Sequence, residues 1–149
     1  MRNLTLFFCG LLISISLTGQ DYKEIDFSII LGDCFKNDTI SLAINEKQVF
    51  DSEVITSDFS TGLTGFSAYQ DNNNFIVFQK SNKIESNKFE IENSITLLMK
   101  INSNERYSET LNLKKGKIIV IDYCNRKTET GELVKSINAQ QYKRNVEFD

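Results

Sequence analysis

The chain has 149 residues, a formal net charge of −3 at pH 7, 40% hydrophobic residues and no histidine. The absence of histidine excludes Ser-His-Asp and Cys-His catalytic relays within this polypeptide, and it excludes metal sites that depend on imidazole. Acidic and basic residues are scattered along the chain, so the charge pattern predicts no nucleic-acid partner.

Residues 1–19 have the layout of a secretory signal peptide. Arg2 precedes an apolar run over residues 6–17, and charge resumes at Asp21. The run is shorter than the about 20 residues that a membrane-spanning helix needs. We therefore predict cleavage near Gly19 and a mature chain, residues 20–149, that forms one domain without a transmembrane segment. An uncleaved N-terminal anchor is the alternative.

The mature chain consists of short runs rich in β-branched and aromatic residues, separated by clusters of Asn, Asp, Ser, Gly and Lys. This spacing is typical of an all-β domain. We expect a two-layer antiparallel β-sandwich of about seven to nine strands, since a sandwich needs no consistent shear around a closed ring. The runs are Ile25–Leu31, Thr39–Asn45, Gln48–Thr56, Phe66–Gln70, Phe75–Gln79, Lys88–Glu92, Ser94–Ile101, Arg106–Leu113, Lys117–Cys124 and a less regular run after Glu132.

The stretch from Ser57 to Tyr69, SDFSTGLTGFSAY, combines small polar residues, two close glycines and aromatics. One interpretation is a crossover between the two sheets, in which the glycines adopt positive φ or allow close approach and the apolar side chains anchor the loop. The other is a binding loop whose aromatic tip docks a partner, flanked by adaptable hydroxyl groups. The candidate binding residues are Phe59, Ser60, Thr61, Leu63 and Phe66.

Two turns are predicted from Asn, Asp, Lys and Gly clusters. Asp71–Asn74 is expected to be a plain turn, because it departs from the calcium-loop pattern where Phe75 takes a ligand position. Lys114 to Lys117 is expected to form a solvated hairpin turn with a glycine bulge at Gly116, joining the runs on either side of it. Neither turn predicts a metal or a cofactor.

Cysteine usage predicts one disulfide. Removal of the signal peptide takes away Cys9 and leaves Cys34 and Cys124, an even pair in an exported chain. The alternative is two buried free thiols.

Carboxylates are the remaining source of catalytic chemistry. Asp51 and Glu53 are expected on one strand face, and Asp58 and Asp122 are further candidates for a glycoside-cleaving pair. Acidic residues that alternate along a strand are more often a solvated face. No catalytic residue is assigned on this basis.

These patterns favour an exported, non-enzymatic β-sandwich that binds a protein or glycan of the bacterial envelope or cell surface. It would be secreted, periplasmic or surface-located. Tyr69, Tyr107 and Tyr123 are the aromatics expected to serve a glycan site. The alternative is a secreted inhibitor or immunity-type protein that inserts residues 57–65 into an enzyme cleft. A small carboxylate-dependent glycosidase is the second alternative.

Overall fold

The computed structural model describes residues 25–143 except Asn73, Lys80, Ser81 and Asn104. The predicted signal peptide at residues 1–19 lies outside the described residues. Ten strands are formed within these described residues. They are β1 (Ile25–Leu31), β2 (Asp38–Ile44), β3 (Lys47–Ile55), β4 (Phe66–Asp71), β5 (Asn74–Gln79), β6 (Asn82–Asn87), β7 (Ser94–Ile101), β8 (Glu105–Asn112), β9 (Ile118–Lys127) and β10 (Leu133–Tyr142).

The strands form two sheets, so the predicted all-β sandwich is confirmed. One sheet has six strands in the order β10-β9-β1-β4-β5-β6, and the other has four in the order β3-β2-β7-β8. Neighbouring strands are antiparallel, apart from β1 and β9, which pair in parallel. The final run after Glu132 is a strand, because β10 pairs with β9 along its whole length.

The core lies between the sheets and follows the alternation of the sequence. In β2, alternate positions are buried and the positions between them are half-buried, so one face of the strand packs inward. The same alternation puts every second residue of β7 into the core. The largest fully buried side chains are Phe27, Ile29, Leu31, Ile40, Leu42, Ile44, Phe75, Ile95, Leu97, Met99, Ile101 and Ile119.

Several loops gather at one end of the sandwich, which we call the disulfide end. The carboxyl end of β1 leads into residues 32–37, where Cys34 bonds to Cys124 of β9 across 90 positions of sequence. The predicted disulfide is therefore confirmed. The β3–β4 connection lies at the same end, because the Thr64 N–H donates to the Leu31 carbonyl over 3.2 Å. Two elements distant in sequence are thus held together where the loops meet.

The predicted hairpin around Gly116 is wrong. β8 pairs with β7 in the four-stranded sheet, whereas β9 pairs with β1 and β10 in the six-stranded sheet. The Lys-Lys-Gly segment therefore crosses between the sheets. A short polar turn with glycine resembles a hairpin in sequence, but it does not specify whether its flanking strands pair. Gly116 allows close packing between two backbone segments instead. A Cβ at this position would lie only 2.7 Å from the Tyr142 backbone nitrogen, which is too close for a non-bonded contact.

The predicted strand at Lys88–Glu92 is also wrong, since the strand in this region is β6 and residues 88–92 form an irregular connection. Phe89 is buried, which accounts for its apolar character. The buried side chain of Gln70 takes the place of a strand partner. Its Oε1 accepts the Phe89 N–H over 2.6 Å, and its Nε2 donates to the Phe89 carbonyl over 3.1 Å. The N–H and carbonyl groups of Phe89 are therefore hydrogen-bonded although this segment does not pair with a strand.

Candidate functional site

The β3–β4 connection, residues 56–65, is named here the crossover loop, because it carries the chain from the four-stranded to the six-stranded sheet. Its two ends are tied to the loop that follows β1 and to the last residue of β1. The Ser57 hydroxyl donates to the Gly32 carbonyl over 2.6 Å and accepts the Phe35 N–H over 3.0 Å. At the other end, the Thr64 hydroxyl donates to the Leu31 carbonyl over 2.8 Å. The crossover predicted from the sequence is present.

Asp58 organises the tip of the crossover loop. Its Oδ1 accepts the N–H groups of Ser60 over 2.9 Å and of Thr61 over 3.1 Å. Its backbone N–H donates to the Leu63 carbonyl over 2.7 Å, and its carbonyl accepts the Gly62 N–H over 2.9 Å. The loop is thus closed on itself by main-chain bonds and by one carboxylate.

These contacts lower the pKa of the Asp58 carboxyl. The largest cause is the hydrogen bond from the Ser60 side chain, followed by the N–H groups of Ser60 and Thr61. Hydrogen bonds to the charged form stabilise it relative to the neutral acid. The carboxylate is therefore the form that shapes the loop at neutral pH.

Both glycines of the loop adopt positive φ, 66° at Gly62 and 69° at Gly65. This is the left-handed region, which costs other residues free energy because of their Cβ atom. Gly62 is constrained further, since a Cβ at this position would collide with the Asp33 carboxylate, whereas a Cβ on Gly65 would meet open space. The expected role of the two glycines agrees with this geometry.

The apolar residues of the stretch separate into two groups. Phe66 is 3% exposed and its ring lies 4.5 Å from that of Phe50, so it belongs to the core. Leu63 is half-buried. Phe59 has a relative exposure of 106%, so its ring stands clear of the protein at the tip of the loop. The stretch therefore connects the two sheets and also exposes one aromatic side chain at its tip.

Ser60 and Thr61 are exposed beside Phe59. Their hydroxyl groups contact the Asp58 carboxylate, with the Thr61 Oγ1 at 3.3 Å. The two side chains thus support the loop from within. A partner that contacts Phe59 would also meet these residues.

A polar cluster beneath the disulfide end was not anticipated from the sequence. Asp38 is 5% exposed, and its Oδ1 accepts the Asn102 amide over 2.8 Å. Its Oδ2 forms an ion pair of 2.8 Å with the Nζ of Lys135, which lies 4.1 Å from the centroid of the Tyr123 ring. One local signal was available, because Asp38 occupies an inward position in the alternation of β2.

The four candidate carboxylates are engaged in separate groups. Asp51 accepts the Ser41 hydroxyl over 2.6 Å on the four-stranded sheet, whereas Glu53 accepts the amide of Gln79 from the other sheet. Ser52 between them has a φ of 55° and the register shifts there, so the expected shared face of Asp51 and Glu53 is wrong.

Asp122 is half-buried on β9 and accepts the Asp33 N–H over 2.8 Å. This bond ties β9 to the loop that follows β1, in parallel with the disulfide. Asp58 remains within the crossover loop, as described above. Each of the four carboxylates thus accepts a hydrogen bond from a neighbouring segment or from within its own loop.

The tyrosines expected to serve a glycan site differ in exposure. Tyr123 is 7% exposed, so the expectation that it offers an open aromatic surface is wrong. Tyr69 is half-buried and stacks on Phe78 with ring centroids 6.0 Å apart. Tyr107 is half-buried and donates to Glu109. Phe59 presents far more free aromatic surface than any of these three.

Comparisons with protein-family models, curated protein sequences and solved structures each return no match. Within residues 25–143, no helix has the length and apolar character that a membrane crossing requires.

Proposed function

We propose that this protein is an exported, non-enzymatic binding protein of the bacterial envelope or cell surface, and that it docks a partner protein through Phe59 of the crossover loop. The observation that carries the proposal is the full exposure of this aromatic ring at the tip of a loop held by side-chain and main-chain hydrogen bonds. Aromatic side chains that fill a pocket on a partner commonly dominate binding energy.

Rigidity of the loop supports this role. A flexible loop would lose conformational entropy on binding, whereas a loop already ordered in the free protein avoids much of that cost. Ser57 and Thr64 hold the two ends, and Asp58 holds the tip. The backbone that carries Phe59 is thereby held on both sides.

The disulfide supports export. Disulfides form and persist in oxidising compartments and are rare in the cytosol. The bond between Cys34 and Cys124 fits a location outside the cytoplasm. A protein partner is favoured over a glycan because the aromatic that protrudes is a single phenylalanine, without a polar group of its own.

The test is affinity capture from envelope extracts with the wild-type chain and two variants. Phe59→Ala removes the exposed ring, and Val54→Ala removes another exposed apolar side chain, on β3. The expected result is one or a few proteins that the wild type and Val54→Ala retain and Phe59→Ala loses. Capture that is equal for all three chains would contradict a role for Phe59, and recovery of glycan without protein would contradict the proposed partner class.

The inhibitor function is a second candidate, because the same ordered loop suits insertion into an enzyme cleft. Inhibitors of this kind bind with little change in backbone conformation. Under this candidate the captured protein is a single enzyme, its turnover falls when the chain is added, and Phe59→Ala relieves the inhibition. A captured protein without enzymatic activity would exclude the inhibitor role and leave the envelope-binding role.

A further inference from the structure

A cavity of about 850 Å³ lies at the end of the sandwich opposite the disulfide end, where Asp26 near the start of β1 lines it. Two connections between the sheets form its walls. Residues 88–93 join β6 to β7, and residues 113–117 join β8 to β9. The Leu113 N–H donates to the Asn93 carbonyl over 2.8 Å, so the walls meet on one side. We call this space the charged cavity, and its volume lies within the range of about 300–1,000 Å³ that is usual for small-ligand sites.

The inner surface of the charged cavity is held in place by the side chain of Gln70, which is 1% exposed. Its Nε2 donates to the Asp26 carboxylate over 3.2 Å and to the Phe89 carbonyl over 3.1 Å. The Nζ of Lys117 donates to the Ile25 carbonyl over 3.3 Å. The strand ends and both connections are therefore fixed to one another around the cavity, so its shape does not depend on a ligand.

Acidic and basic side chains line the charged cavity in equal number. They are Asp26, Glu90 and Glu92 together with Lys88, Lys114 and Lys117. Four of these six are exposed and form no ion pair or side-chain hydrogen bond with another described residue, namely Lys88, Glu90, Glu92 and Lys114. Opposite charges thus surround one space without neutralising each other across it.

The signs of these charges differ between the two walls. The wall at residues 88–93 contributes Glu90 and Glu92 with one lysine, and the wall at residues 113–117 contributes two lysines and no acid. A ligand between the walls therefore meets an excess of negative charge on one side and positive charge on the other. A ligand with a single sign of charge would be repelled by one of the walls.

We propose that the charged cavity binds a short peptide with both termini free. Its ammonium group lies against Glu90 and Glu92, and its carboxylate lies against Lys114 and Lys117. Hydrogen bonds between ionised groups are stronger than those between neutral groups, and free peptide termini supply one ionised group of each sign. A neutral saccharide would leave these side chains without counter-charges. The site is remote from Phe59 and does not depend on the function proposed for that residue.

The remaining lining residues fit the body of a peptide. Asn72 and Asn93 offer amide groups, which match the donors and acceptors of peptide bonds. Ile91 is half-buried and Leu113 is 8% exposed, and both give the cavity an apolar surface. An extended tripeptide spans at most about 11 Å, so it brings opposite charges to the two walls without a long chain between them.

The first experiment varies the charges of the ligand. Calorimetric titrations at low salt compare trialanine, N-acetyl-trialanine, trialanine amide and the neutral saccharide maltotriose on the wild-type chain. We expect trialanine to bind, and each blocked peptide to bind roughly tenfold more weakly, because each lacks one charge-assisted interaction. Maltotriose should not bind.

The second experiment varies the charges of the protein. Glu90→Gln/Glu92→Gln removes the acids of one wall, and Lys114→Gln removes an ammonium group from the other. Glu129→Gln and Lys115→Gln are the matched controls, since both residues are exposed and neither lines the cavity. We expect the first variant to bind trialanine and N-acetyl-trialanine equally, and Lys114→Gln to reduce the difference between trialanine and its amide. The controls should keep the affinities of the wild type.

Four outcomes would overturn the proposal. Absence of binding at the highest soluble concentration of trialanine excludes a general peptide site. Equal affinity of the wild type for free and blocked peptides excludes recognition of the termini. Binding of maltotriose in place of trialanine assigns the cavity to neutral saccharides. Equal losses in Lys114→Gln and Lys115→Gln would show that the net charge of the chain, and not the cavity, governs binding.

Discussion

The Nζ of Lys135 on β10 lies 2.8 Å from the Oδ2 of Asp38 on β2, so one ion pair connects the two sheets. The pair is unequally buried, with side-chain exposures of 33% for Lys135 and 7% for Asp38. Asn102 and the Lys36 N–H supply the other hydrogen bonds to the carboxylate. The disulfide end is therefore held by an ion pair as well as by a covalent bond.

Removal of one partner should be costly, because the other charge then loses its compensation. We expect Asp38→Ala to reduce the free energy of unfolding by about 2 to 4 kcal/mol. Asp51→Ala is the matched control, since Asp51 also accepts a side-chain hydrogen bond but is exposed. Urea denaturation at neutral pH measures both, and similar losses for the two variants would contradict the role of the pair.

The same pair predicts a loss of stability in acid. Burial is the largest single influence on the pKa of Asp38 and raises it, but the hydrogen bonds and charge of its partners together outweigh burial, and the pKa is lowered from 3.8. The unfolded carboxyl therefore binds its proton at higher pH than the folded one. The stabilisation is complete above about pH 4 and is lost as the pH falls through the lowered pKa.

Asp38→Asn isolates this contribution, since the amide does not titrate. We expect the decline in unfolding free energy between pH 5 and about pH 2 to be smaller in Asp38→Asn than in the wild type. The exposed Asp51 and Asp58 also have lowered pKa values, so part of the decline should remain. Identical pH profiles for wild type and variant would show that the pair does not contribute to acid sensitivity.

The disulfide should account for a large share of the stability. A bond that closes a loop across 90 positions restricts the unfolded chain by about 4 to 5 kcal/mol in the loop-entropy description. We expect a loss of this order in Cys34→Ala/Cys124→Ala. Thiol labelling of the denatured, unreduced Cys9→Ser variant, which keeps Cys34 and Cys124, provides the control for bond formation. Two labels on each chain would refute the bond.

Substitutions at different positions in and beside the crossover loop should affect stability and partner binding differently. Phe66→Ala removes a buried ring and should cost about 3 to 5 kcal/mol. Phe59→Ala should change stability by less than about 0.5 kcal/mol and weaken partner affinity by about 1 to 2 kcal/mol or more. Leu63→Ala should fall between them in stability, since Leu63 is half-buried. Thermal melts and partner titrations of these variants give both quantities, and full affinity in Phe59→Ala would refute the site.

Asp58 is expected to position Phe59 through the shape of the loop. Asp58→Ala removes the acceptor shared by Ser60 and Thr61, whereas Asp58→Asn retains an oxygen at the same place. Partner affinity should fall in the alanine variant and be largely restored in the asparagine variant. Equal affinity in the two variants would show that the carboxylate does not shape the binding surface.

The strands could be predicted because their signal is local. Alternation of apolar and polar residues in β2 and β7 specifies an extended chain with one buried face, whatever its neighbours are. The disulfide could be predicted by counting, since a single pair of cysteines follows the apolar run at residues 6–17. The positive φ of Gly62 and Gly65 also follows from a local property, namely the absence of a Cβ.

The same local signals failed at two connections whose structure depended on a distant element. The segment around Gly116 resembles a hairpin, yet its flanking strands lie in different sheets, and Lys88–Glu92 resembles a strand, yet it pairs with the side chain of Gln70.

By itself, the sequence determined the all-β class, most of the strands and the inward residues, because periodicity acts without reference to the rest of the chain. It also led to the expected pairing of Cys34 with Cys124 once Cys9 was assigned to the predicted signal peptide. The tertiary structure alone decided which strands are neighbours, which aromatic ring faces solvent and how Asp38 meets Lys135. Those two residues are 97 positions apart, and their contact depends on the stacking of two sheets that no local segment encodes.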